Sequence, residues 1–345
     1  MRNVIEGIHL FLDIHLEDYT NMRKKILFYV AIIVVFDILF YQSIASSCCN
    51  VYSQEPEITY KQQLGSKGSG NGEFSSPHSL AVDRFGNIYV GDTGNKRIQK
   101  FYPNGTFNTS WGSAGANDGQ FFGLHDVTVD PEGKFVYTVE LKNHRVQKFD
   151  SNGTFITKWG YNGTGGRDTL RGPHQIAVNS IGIAYLTDRN GNQILKFYSN
   201  GTFIETIGSK GTGPGEFDGP HGIAIDSDND NVYVTDMKNH RVQVFDSNDS
   251  FVRQWGSFGN GTGQFSETAP GIAVDNNNNY VYVIDKINAR VQMFDTKGNY
   301  LAGWGSFGKG PEQLNQPEDI AIDSKGQIYV TDTRNSRIQI LDRKN

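Results

Sequence analysis

The chain has 345 residues, a formal net charge of −5 and 12% aromatic residues, which suits one large all-β domain or two ordinary ones and excludes a disordered chain. The mildly acidic balance argues against generic nucleic-acid binding. The only cysteines, Cys48 and Cys49, exclude a disulfide framework or a cysteine zinc module in everything that follows them.

The first predicted element is apolar. Residues 1–21 form a short N-terminal segment without a readable motif, and Met22, followed by Arg23, Lys24 and Lys25, resembles a natural start. A mostly apolar run follows over Ile26–Tyr41 and extends to about Ala45, close to the roughly 20 residues a spanning helix needs. Asp37 interrupts it, toward the outer end, where the cost of a carboxylate falls. The pattern predicts a signal anchor over 22–47 or a cleaved signal peptide, with the basic residues keeping the N-terminus inside and the rest of the chain outside the cytoplasm. A linker over 48–57 leads to the remainder, 58–345.

That remainder repeats. Arg97, Arg145, Gln193, Arg241, Arg290 and Arg337 occupy equivalent places at steps of 48, 48, 48, 49 and 47 residues. In the first copy, Ser79–Asp83 reads as a strand buried on both faces, Ile88–Asp92 as a second and Arg97–Tyr102 as a half-buried third. An Asn-Gly turn then predicts a hairpin to a fourth strand at Phe107–Gly112. We letter these strands a to d. Four strands repeated six times predict a six-bladed β-propeller. The last copy ends after its third strand, so Ile58–Gly65, which aligns with the fourth strand of other copies, is expected to close the ring and remove its open edges.

The stretch from "PHGIAID" through "NVYVTD" to "NHRVQVFDSNDSF", with Asn143-His144-Arg145 and Asn239-His240-Arg241, resembles the NHL repeat. The resemblance covers about 58–345 in six copies and implies a six-bladed propeller that binds proteins or RNA, some members of the family being enzymes. The zinc modules that precede the propeller in NHL ubiquitin ligases are missing here.

Strand b ends in Asp92, Glu140, Asp188, Asp236, Asp285 and Asp332, five residues before the arginine position. Pairs such as Asp92–Arg97, Glu140–Arg145, Asp236–Arg241, Asp285–Arg290 and Asp332–Arg337 are expected to bridge the b–c turn, with the preceding Asn residues capping it. One copy per blade is an architectural pattern. His144 and His240, in these turns, are expected to face solvent. Phe74, Phe217 and Phe265, in the Gly-rich d–a loops, are expected to plug between blades. Asn104, Asn152, Asn200 and Asn248 form Asn-X-Ser/Thr sequons in c–d turns, so glycosylation of an exported chain would leave the d–a face open.

His78, His125, His174 and His221 open strand a of blades one to four, and Pro270 and Glu318 take that place in blades five and six. Strand a lines the central channel, so these residues ring its d–a mouth. Alternate blades stand three-fold around the axis. One such set, His125, His221 and Glu318, suits a divalent metal such as zinc with open positions, with Asp126 and Asp319 behind it. The other, His78, His174 and Pro270, is incomplete. The "PHSLAV" start is similar to strand starts of the peptidyl-amidoglycolate lyase propeller, a resemblance that implies zinc held by histidines of alternate blades. The expected function is a membrane-anchored binding or scaffold module for a protein or another ligand on the d–a face. A metal-dependent lyase or hydrolase at the mouth is the alternative, and an RNA-binding propeller a third.

Overall fold

The computed structural model describes residues 22–23, 56–161, 166, 168–266 and 270–344. The predicted anchor therefore lies outside the described residues, apart from Met22 and Arg23. Among the described residues no helix is long and apolar enough to cross a membrane.

The described residues between 56 and 344 form six four-stranded antiparallel sheets, the propeller expected from the repeat. Strand a of the blades is Pro77–Val82, Leu124–Val129, Pro173–Val178, Pro220–Ile225, Ile272–Asp275 and Pro317–Ile322. Each is hydrogen-bonded to strand b of its own blade, and strands c and d follow outward. Blade six takes its outer strand from the other end of the chain. Glu57–Leu64 pairs antiparallel with Arg337–Lys344, with Ile58 opposite Arg343 and Leu64 opposite Ile338. The ring closes as the truncated last repeat predicts.

The core sits between blades. Phe74, Phe121, Phe217 and Phe265, from four of the d–a loops, are wholly buried, and Phe74, Phe217 and Phe265 pack on Phe101, Phe245 and Phe294 with ring centroids 5.7–5.9 Å apart. Trp111, Trp159 and Trp255, at the ends of strand d, cover the c–d turn of the next blade. A β-carbon at Gly153, Gly201 or Gly298 would fall within 3 Å of the indole, so these Asn-Gly and Lys-Gly turns need glycine for space as well as for their positive φ.

The carboxylate at the end of strand b organises the outer side of each blade. In blade four, Asp236 accepts from Nε of Arg241 (2.9 Å), Nδ2 of Asn239 (2.8 Å) and the backbone N–H of Asp218 (2.8 Å). The Arg241 guanidinium then donates to the carbonyls of Thr212, Gly213 and Glu216. The ion pair thus ties the b–c turn to the d–a loop, a link to backbone acceptors that the sequence pattern does not reveal. The same pair is 2.8 Å at Asp92–Arg97, 2.6 Å at Glu140–Arg145, 2.8 Å at Asp285–Arg290 and 2.7 Å at Asp332–Arg337. In blade three Gln193 replaces the arginine and donates to Asp188 at 3.3 Å.

His144 and His240 occupy the left-handed position of this turn, at φ 49° and 54°. They are half-buried rather than solvent-facing. Their Nδ1 atoms bond the carbonyls of Leu170 and Ser266 in the following d–a loop, at 2.7 and 3.0 Å.

Candidate metal centre at the channel mouth

The histidines gather because strand a is irregular where they stand. The ladder between strands a and b skips a residue between Pro77 and Ser79 and between Leu124 and Asp126, and it skips two between Pro173 and Ile176 and between Pro220 and Ile223. Such bulges re-aim a side chain out of the sheet. Four imidazoles from four successive blades consequently meet at the mouth. Ring centroids are 4.2 Å apart for His78–His125, 4.3 Å for His125–His174, 4.5 Å for His174–His221 and 5.5 Å for His125–His221.

Each ring is tied down through Nδ1. His78 bonds the carbonyl of His125 (3.0 Å), His125 that of His174 (3.1 Å) and His221 that of Pro270 (3.1 Å), always one blade onward. His174 breaks the series and bonds Gly172 in its own blade at 2.8 Å. The carbonyl of His221, which would continue the series, accepts instead from Oγ1 of Thr187 at 2.7 Å. A carbonyl partner requires a proton on Nδ1, which leaves the Nε2 lone pair of each neutral ring available.

Burial keeps the rings neutral. Desolvation holds His78 below the usual histidine range, His125 and His221 well below it, and His174 at about 4. One ligand atom from each of His125, His174 and His221 lies within 4.8 Å of the other two. These are three neutral imidazoles with fixed tautomers, a donor set that fits a transition metal.

The expected partner of His125 and His221, Glu318, stands elsewhere. Its carboxylate pairs with Nζ of Lys286, from the b–c turn of blade five, and lies 3.8 Å from Nε2 of His78. The structure thus groups three successive blades, whereas the symmetry argument pairs alternate ones. His78 belongs to the side of Glu318. Lys286 is the residue that sequence reasoning missed. Its only signal was a basic residue directly after Asp285, filling the sector where blade five lacks a histidine.

Asp126 and Asp319 form a tier just inside the histidines, both bonded to backbone and Asp319 also to Gln175. Asp126 accepts from the N–H of Ile176, and Asp319 from the N–H of Leu80, both at 2.9 Å. Gln175 donates to Asp319 at 2.9 Å and accepts from the N–H of Ile223 at 3.2 Å. Blades three and six face each other, so the Gln175–Asp319 bond spans the axis. Burial raises Asp126 well above the carboxylate range, and Asp319 to about 7. Asp126, Gln175 and Asp319 also line a channel cavity of about 210 Å³ whose other walls are Ile, Val, Leu, Ala and Thr.

Asn104, Asn152, Asn200 and Asn248 are exposed in c–d turns, on the face opposite the histidines.

Comparison with known proteins supports this architecture. The NHL-repeat family model matches residues 74–101 and 314–341, and a model described as a 6-bladed beta-propeller matches 163–239 and 229–291. No curated protein matches the chain. Among solved structures, a protein of unknown function from Bacteroides thetaiotaomicron VPI-5482 is 15% identical with a TM-score of 0.62, over 84% of this chain and 77% of that one. A gluconolactonase from Xanthomonas campestris is 13% identical with a TM-score of 0.57, over 83% of this chain and 98% of its own. Virginiamycin B lyase from Staphylococcus aureus is 14% identical with a TM-score of 0.56, over 83% and 99%. At these identities the likeness is one of fold.

Proposed function

We propose that this chain, a six-bladed β-propeller carrying NHL repeats, is a metal-dependent lyase or hydrolase whose ion is held by His125, His174 and His221. The observation that carries this reading is the convergence of three imidazoles whose Nδ1 atoms are each committed to a backbone carbonyl. His125, His174 and His221 would hold the ion, which would supply a Lewis acid for a substrate oxygen or for water. The protein's own part is to fix the rings, keep them unprotonated and surround them with a polar rim. That rim includes His78, Glu318 and Lys286. Lyase and lactonase activities occur on propellers of similar fold, which is analogy only.

The test is metal analysis of the full chain, expressed without a His tag and purified without chelator. About one equivalent of zinc or another transition metal is expected, and the His125→Ala and His221→Ala variants should lose it. Less than a tenth of an equivalent in the parent protein would defeat the reading.

A second reading, a binding module for a protein partner on the same d–a face, is favoured by Phe122, Phe258 and Phe307, which are 48%, 65% and 73% exposed there. We further propose that residues 26–45 anchor the chain in a membrane with the propeller outside the cytoplasm. The apolar run and the basic residues ahead of it support this. Protease digestion of sealed vesicles tests it: the propeller should be protected from the cytoplasmic side, and its digestion there would defeat the topology.

A further inference from the structure

The two faces of the ring differ in charge. Among the described residues, the d–a loops and b–c turns, which frame the histidine mouth, hold ten basic residues against six acidic ones, a net of +4. The a–b and c–d turns of the opposite face hold four basic residues against nine acidic ones, a net of −5. The molecule as a whole is acidic, so the positive face is a local departure on the side where the candidate site opens. Such a distribution steers anions toward that mouth.

One cation on this face is distinct. Arg189 directly follows strand b of blade three, and its backbone N–H donates to the Gly172 carbonyl at 2.9 Å. That carbonyl also accepts from Nδ1 of His174. The Arg189 stem runs beside Gly219, its Cγ 3.7 Å from where a β-carbon on that glycine would stand. Gly219 is two residues ahead of His221. Arg189 is thus fastened beside two of the three metal-ligand candidates, and its charge contributes to keeping both rings unprotonated. The strand-c arginines all have carboxylate partners, and Lys286 has Glu318. Arg189 is half-buried, yet among the described residues its guanidinium has no hydrogen-bond or ion-pair partner. A half-buried arginine whose guanidinium has no partner among the described residues is a ready-made oxyanion site.

We infer that the substrate of this site is a small molecule bearing an oxyanion group, which Arg189 holds beside His174 and His221. The inference rests on the metal reading above and adds the chemical class of the substrate to it. Arg189 binds and orients the anionic end, and the reacting part of the molecule faces the three imidazoles. The site selects against neutral analogues, because they leave Arg189 without a partner.

The test uses the full chain loaded with cobalt(II), whose visible absorption reports binding at the metal. Acetate is the anionic probe and imidazole the neutral one. Arg189→Gln is expected to weaken acetate at least tenfold and to leave imidazole within twofold, and Arg189→Lys should recover part of the loss. Acetate affinity unchanged in Arg189→Gln would overturn the inference, as would equal weakening of both probes, which marks a merely structural role. A second arm needs no metal. In the metal-free chain, acetate should shift the Cε1–H resonances of His174 and His221, and should not do so in Arg189→Gln; no shift in the parent protein would overturn the inference. Failure of cobalt to bind, with these shifts present, would overturn the metal reading alone. Single-stranded RNA displacing acetate with a steep salt dependence would point to a polyanion and contradict the small-molecule class.

Discussion

Two rings of this propeller answer the same sequence repeat differently. The outer one carries a carboxylate at the end of strand b in all six blades and an arginine opposite it in five. Each arginine also binds the carbonyls of its own d–a loop, so the outer ring holds the fold together blade by blade. The inner ring begins as a repeat, with histidine in blades one to four, and then departs to Pro270 and Glu318. There the geometry departs too. Three rings converge, the fourth turns toward Glu318, and Lys286 enters from an otherwise unrelated position. In the outer ring the repeated side chains serve every blade alike. In the inner ring, which the repeat does not complete, they build a single site.

The sharpest way to break this comparison is to cut one outer pair. Asp236→Ala strips the buried Arg241 of its carboxylate, and loss of one partner from a buried pair costs about 3–5 kcal/mol. Urea denaturation should show that loss, while the fraction that remains folded keeps its metal. A loss of metal in the folded protein would erase the distinction between the rings.

Acidification sets the inner ring against the outer one. Burial lowers His174 from 6.5 to about 4. Below pH 6.5 the unfolded chain binds a proton that the folded one refuses, so stability falls as the pH drops toward 4 and is fully present above 6.5. The shift is worth on the order of 3 kcal/mol for this one group. Unfolding of the metal-free chain measured between pH 4.5 and 7.5 should show the decline, and the His174→Ala variant a shallower one. Identical slopes would mean that the mouth is hydrated and the rings titrate normally.

His78 tests the division within the inner ring. His78→Ala should leave metal content unchanged and cost about 1 kcal/mol for its bond to the His125 carbonyl. Metal loss in that variant would enlarge the ligand set to four blades. The smallest effect belongs to Arg84, whose pair with Glu132 is more than half exposed on the opposite face. Arg84→Ala should change unfolding by less than about 1 kcal/mol, so the same chemistry is weak outside and strong inside.

Much of this was legible in the residues. A period near 48 with turn residues between apolar runs implied six blades, and the missing last strand implied closure by Ile58–Gly65, which the structure realises as Glu57–Leu64. The Asp92–Arg97 type of pair was legible because both partners recur at constant spacing. The carbonyls that Arg241 binds were not, since backbone acceptors leave no mark in the sequence. The four mouth histidines were visible as a column, but their grouping was not. It depends on bulges in strand a, on Thr187 occupying the His221 carbonyl, and on Lys286 drawing Glu318 away. The bulge recurs, also between Pro317 and Ile320 of blade six, whereas the Thr187 and Lys286 contacts are local departures. The half-burial of His144 and His240 was hidden for a related reason, because their partners are carbonyls of the next loop.

The most direct test of the central claim is the metal content of the His174→Ala variant beside that of the parent chain, both purified without tag or chelator. His174 is the ligand that separates a site built from three successive blades from one built on alternate blades. The account predicts about one equivalent of transition metal in the parent and less than a tenth in the variant, with both folded. Full metal retention in His174→Ala would contradict it and return the site to His125, His221 and Glu318.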